Sequence, residues 1–127
     1  MRYSVFVIIF VFLFTTYVFP DDRIEGMYAG KLIYPDARFP MVSNFEINNN
    51  GEVWGDYSYK YKGKNYEGVF YEGKLDGQSL NIYWNDEFGE GWLDIEFNSD
   101  FTKFSGNWGA IENNKRLRKE GKWTGNK

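Results

Sequence analysis

The sequence predicts an all-β protein. A single antiparallel up-and-down meander of about eight strands closes into a small barrel, preceded by an N-terminal hydrophobic helix. Three observations predict it. From Gly51 to Trp92 aromatic and polar residues alternate, and Gly interrupts the run every few positions. Aromatic residues make up 21% of the 127 residues, with 5 Trp, 10 Tyr and 12 Phe, a composition suited to strands. No stretch after Pro20 carries a helical period, and Leu and Ala are scarce.

Taken in order, residues 1–20 (MRYSVFVIIFVFLFTTYVFP) place Arg2 before an apolar run from Val5 to Phe14, with Asp21 and Asp22 after Pro20. That is the layout of a signal peptide or signal anchor, and basic-before, acidic-after orients the rest of the chain outward. Bulky Tyr17, Val18 and Phe19 suit a cleavage site poorly, while Ser4, Thr15 and Thr16 shorten the span available to an anchor. Both fates stay open. The expected location is across a membrane, periplasmic or extracellular, with the membrane engaged only through residues 1–20. No Cys follows, which excludes a lipoprotein anchor. Residues 21–26 read as a linker and residues 27–127 as the barrel domain.

The strands are expected over Met27–Tyr34, Met41–Ile47, Glu52–Tyr61, Tyr66–Tyr71, Leu75–Trp84, Trp92–Phe97, Lys103–Ala110 and Glu120–Gly125. Pro35-Asp36 makes a turn, and Pro40 marks a second break or an edge. Asn50-Gly51 is the strongest hairpin signal, because both residues tolerate positive φ. Lys62–Asn65, Glu72–Lys74, Asn85–Gly91 and Asn98–Asp100 read as turns, Gly77 as a bend within a strand, and Glu112–Lys119 as a charged loop. An aromatic residue and a Gly recur two positions apart: Tyr28/Gly30, Tyr66/Gly68, Phe104/Gly106/Trp108 and Gly121/Trp123/Gly125. Two apart on a strand means one face, and large-small alternation fills the taper of a small barrel.

The chemistry is bounded mainly by what is missing. With 0 Cys and 0 His there is no thiol nucleophile, disulfide, Cys-type zinc site or imidazole base. A net charge of -3 favours no nucleic-acid partner. Tyr57, Tyr59 and Tyr61 form a stripe on one strand face, with Trp54 or Trp84 as neighbour. This stripe reads either as a stacking platform for a sugar or another apolar-faced ligand, or as packing inside the barrel. Asp86, Glu87, Glu90, Asp94, Glu96 and Asp100 form an acidic block; its spacing fits no calcium loop, and it reads as a solvated face. Nothing singles out a pair of these carboxylates for acid-base catalysis. Lys115, Arg116, Arg118, Lys119, Lys122 and Lys127 read as a solvated basic run.

The succession NGEVWGDYSY, GVFYEGKLDG, FGEGWLDIEF, FTKFSGNW and GKWTG resembles small exported bacterial domains of the avidin-like and lipocalin-like kind. The resemblance spans most of the chain after Met27. It implies an antiparallel barrel with a cavity, and it carries over no ligand. Tyr66-Glu67-Gly68, Gly73 and Gly77 also resemble one unit of a MORN repeat, but the flanking windows do not continue it.

The expectation is therefore an exported, non-catalytic binding module. It takes a small or saccharide-like ligand, through Trp54, Tyr57, Tyr59, Tyr61 and Trp84, or a protein. No cofactor and no metal is expected. The alternative is a structural or protein-interaction domain with a fully packed core.

Overall fold

In a computed structural model, residues 21–127 are described; the predicted N-terminal helix falls outside them. Eight strands follow one another: β1 (Gly26–Tyr34), β2 (Ala37–Ile47), β3 (Glu52–Tyr61), β4 (Lys64–Asp76), β5 (Ser79–Asp86), β6 (Gly89–Phe97), β7 (Lys103–Glu112) and β8 (Lys115–Asn126). Each pairs antiparallel with the next, and β8 returns to β1 to close the barrel. Closure leaves no strand edge along the sheet and encloses the inward side chains.

Tight turns join most strands, and their residues show why. Lys62 and Gly63 lie at φ 50° and 76°, and Asn113 and Asn114 at 51° and 62°. Two successive positive φ values match the right-handed twist of a hairpin, and Asn and Gly tolerate them best. Asn113-Asn114 thus turns a segment expected to be a charged loop: β7 runs on to Glu112 and β8 starts at Lys115. The early part of the basic run therefore lies on a strand.

Three further expectations are corrected. Glu72–Lys74 is not a turn. β4 continues through it as a bulge, where pairing with β5 shifts between Tyr71 and Lys74 and Glu72 adopts φ 51°. The hairpin comes at Gly77-Gln78, between the paired Asp76 and Ser79, so Gly77 turns the chain rather than bending a strand. Likewise Pro40 does not break β2. Pairing with β3 begins only at Met41, so the missing N–H costs that ladder nothing. The edge reading of Pro40 holds locally.

The interior divides into two halves. At one pole Tyr28, Phe45, Phe97 and Phe104 meet with ring centroids 5.3–6.0 Å apart. Within the stretch predicted as a linker, Asp22–Ile24 forms a 3-10 turn capped by the Asp21 side chain, and Ile24 is fully buried. The Tyr28 hydroxyl lies 2.9 Å from the carbonyls of both Ile24 and Phe101, tying this turn to the β6–β7 loop. Phe101 is itself buried, under the Arg23 guanidinium. This pole is sealed. Lys127 Nζ donates to the Arg23 carbonyl, so the start and end of the described chain lie together there.

The Gly-aromatic pairs do the filling expected of them. A Cβ on Gly68 would lie 2.2 Å from the Tyr57 ring, and one on Gly125 2.3 Å from the Phe104 ring. Each ring therefore occupies the volume its glycine leaves free.

Candidate functional site

The other pole, where the β1–β2, β3–β4, β5–β6 and β7–β8 turns lie, is open. Inside it is a cavity of about 610 Å³. Its walls and floor come from inward positions that follow strand alternation. β3 supplies Tyr57, Tyr59 and Tyr61, β5 supplies Trp84 and Asp86, and Trp108 and Trp123 come from β7 and β8. Leu32 and Met41 complete the apolar side.

Four of the five residues singled out from the sequence meet here: Tyr57, Tyr59, Tyr61 and Trp84. Trp54 does not. Strand alternation turns it to the outer wall, where it is 41% exposed. The tyrosine stripe divides between the packed interior and the cavity wall. Tyr57 is buried against Phe70 and Trp123, with centroids 4.9 Å away in both cases. Tyr59 and Tyr61 are half-buried and turn toward the mouth. The rings run on around the rim: Phe39 to Tyr61 at 5.1 Å, Tyr61 to Tyr66 at 6.3 Å and Tyr66 to Phe88 at 5.0 Å. Phe88, at the tip of the β5–β6 turn, is 64% exposed.

Several polar groups on the inner wall are held by hydrogen bonds. Trp123 Nε1 donates to the buried Ser43 hydroxyl at 2.8 Å. Trp108 Nε1 donates to the Ile33 carbonyl at 3.3 Å, across the β1–β8 seam. The Tyr57 hydroxyl donates to Asp86 at 2.7 Å, and the Phe88 backbone N–H donates to the other Asp86 oxygen at 2.9 Å. A charge-assisted bond of this length holds the carboxylate rigidly. Burial pushes the Tyr57 phenol far above its ordinary range, and the bond to Asp86 adds to the effect. Tyr59 rises for the same leading reason, with the charge of Asp86 next. Both hydroxyls are therefore neutral donors across the physiological range.

Sequence reasoning missed Asp86, Trp108 and Trp123 as site residues. Asp86 shares the inward face of Trp84, two positions earlier, but NDEFGEG reads as a turn. In fact β5 extends to Asp86, and only Glu87 and Phe88 turn. Trp108 and Trp123 belong to the Gly-aromatic pairs, which carried a signal for interior position but not for a cavity. The acidic block is dispersed. Asp94 pairs with Arg116 on the outer wall, Glu96 accepts from Ser79, and Asp100 accepts from Thr102 at the sealed pole. Among the described residues no cluster of carboxylates is arranged to hold a metal ion, and no helix is long and apolar enough to cross a membrane.

On the outer wall the Arg116 guanidinium lies 3.9 Å from the Trp92 ring, and Trp92 Nε1 donates to the Leu117 carbonyl at 3.0 Å. These contacts bury an outward Trp beneath the β7–β8 hairpin. No protein-family model, no curated protein and no solved structure matches this chain.

Proposed function

We propose that this protein is a non-catalytic binding module that takes a small, apolar-faced ligand into the cup, in the manner of avidin-like and lipocalin-like barrels. The observation that carries this reading is the pairing of a sealed pole with an aromatic cavity open at the other. A volume of about 610 Å³ falls in the range of small-molecule sites, and aromatic walls with a few fixed polar groups match their composition. The alternative of a fully packed domain without a ligand leaves that cavity and the exposed rim ring of Phe88 unexplained. Export across a membrane, by way of residues 1–20, is part of the same proposal.

The test is a titration with the neutral fluorophore N-phenyl-1-naphthylamine. Saturable enhancement at one site per chain, weakened by Tyr59→Ala and unaffected by Trp54→Ala, is expected. Bound compounds should be recovered chemically unchanged. Absence of saturable binding, or equal weakening by both substitutions, would overturn the cup as the site. Turnover of a bound compound would overturn the non-catalytic reading.

A further inference from the structure

The charged residues that line the cavity are of one sign. Asp86, Glu90, Glu112 and Glu120 contribute to its lining, and no Lys or Arg does. The two ion pairs among the described residues, Arg23–Asp21 and Arg116–Asp94, involve none of these four. Asp86 receives a hydrogen bond on each oxygen, and both donors are neutral, so its charge is held in place without being cancelled. Its field reaches both neighbouring phenols, since it raises Tyr57 and Tyr59 alike.

Aromatic faces beside such a carboxylate attract a cation through the ring quadrupole. The rim already displays that interaction. The ammonium groups of Lys62 and Lys64, on and just after the β3–β4 turn, sit 5.2 Å from the ring centroids of Tyr61 and Tyr66. Deeper in the cup, Tyr57, Tyr59 and Trp84 have no such partner among the described residues.

We propose that the cup selects ligands bearing a positive charge, an ammonium or amidinium group on an apolar body, with the cation seated between Asp86 and the aromatic wall. This rests on the reading of the cup as a ligand site and narrows it. A neutral saccharide would gain the stacking but not the charge. An anion would meet the Asp86 carboxylate beside the aromatic wall, with no lining Lys or Arg to offset it.

The experiment is calorimetric titration of the intact protein with three probes that share an indole body: tryptamine (cationic), tryptophol (neutral) and indole-3-acetate (anionic). Tryptamine is expected to bind at least about tenfold more tightly than tryptophol, with indole-3-acetate weakest. Asp86→Asn keeps an acceptor for the Tyr57 hydroxyl and should bring the tryptamine-to-tryptophol ratio close to one. The double variant Glu112→Gln/Glu120→Gln should reduce the ratio without touching the Tyr57 bond, so a folding defect in Asp86→Asn does not decide the matter. Added salt should weaken tryptamine selectively. Equal binding of tryptamine and tryptophol would overturn the cation preference while leaving the cup as a binding site. Binding of none of the three would overturn the binding reading itself.

Discussion

Replacing Gly121 by Ala tests whether the barrel is closed as described. Gly121 lies on β8 with an ordinary extended φ. Removing a glycine from such a position normally stabilises a protein by about 0.4–1 kcal/mol, by restricting the unfolded chain. Here the added Cβ would lie 1.9 Å from the Ile33 carbonyl oxygen of β1 and 2.8 Å from Trp108 Nε1. A relaxed carbon-oxygen contact needs about 3.3 Å, so β1 and β8 would have to part by about 1.4 Å. Ladder bonds do not survive that stretch. The neighbouring Ile33–Lys122 and Leu32–Trp123 pairs lie in the affected stretch, as does the Trp108–Ile33 bond. At about 1 kcal/mol for each lost bond, and more for a donor left buried, the expected loss is about 3–4 kcal/mol. Out of a typical total of about 5–15 kcal/mol, this should lower the thermal midpoint by about 10–25 °C. Urea unfolding followed by tryptophan emission and circular dichroism would measure it. Gly51→Ala is the control. No atom lies within 4 Å of its Cβ, and its cost comes only from φ +79°, about 1–2 kcal/mol. A Gly121→Ala protein as stable as the parent, or less perturbed than Gly51→Ala, would refute the closed seam.

Further outcomes follow from the same geometry. Tyr28→Phe leaves the carbonyls of Ile24 and Phe101 without their shared donor, and should cost about 1–3 kcal/mol in urea unfolding while the probe still binds at the far pole. Ser43→Ala removes the acceptor of Trp123 Nε1 and should cost a similar ~1–3 kcal/mol, read in the same way. Alkaline pH should unfold the protein. Burial pushes Tyr28 up to about 12, so below pH 10 the phenol is protonated in both states and folding is indifferent to it. Above pH 10 the unfolded state alone loses the proton. Stability should therefore fall as pH rises through this window, by about 2 kcal/mol at pH 12 from Tyr28 alone. Tyr57 and Tyr59 shift in the same direction and should steepen the fall. A stability profile level to pH 12 would contradict the burial of these phenols.

Most of the barrel was legible because turns and strand faces are local properties. Gly51 and the Lys62-Gly63 pair take the positive φ of turns, and alternation assigns faces, so eight strands in sequence order could be read directly. The misses share a cause. Glu72-Gly73 has turn chemistry, but a bulge demands the same residues, and only the partner strand decides between them. Asn113-Asn114 turns a hairpin inside ENNKRLRK, where surrounding charge suggested a loop. The site was legible as a face and not as a space. Phe45 and Phe70 stack at 4.9 Å in the filled half. Tyr59 and Trp84 share that inward parity, yet both line open volume. Which inward rings meet depends on the taper of the closed barrel, a property of eight strands together.

The sealed pole has a consequence for how the protein can be attached to anything else. The described chain begins at Asp21 beside the 3-10 turn and ends at Lys127, whose amine reaches back to Arg23. A support or label coupled at Asp21 or Lys127 is thereby held at the pole opposite the mouth. Coupling at these two residues thus keeps the point of attachment away from the entrance to the cup.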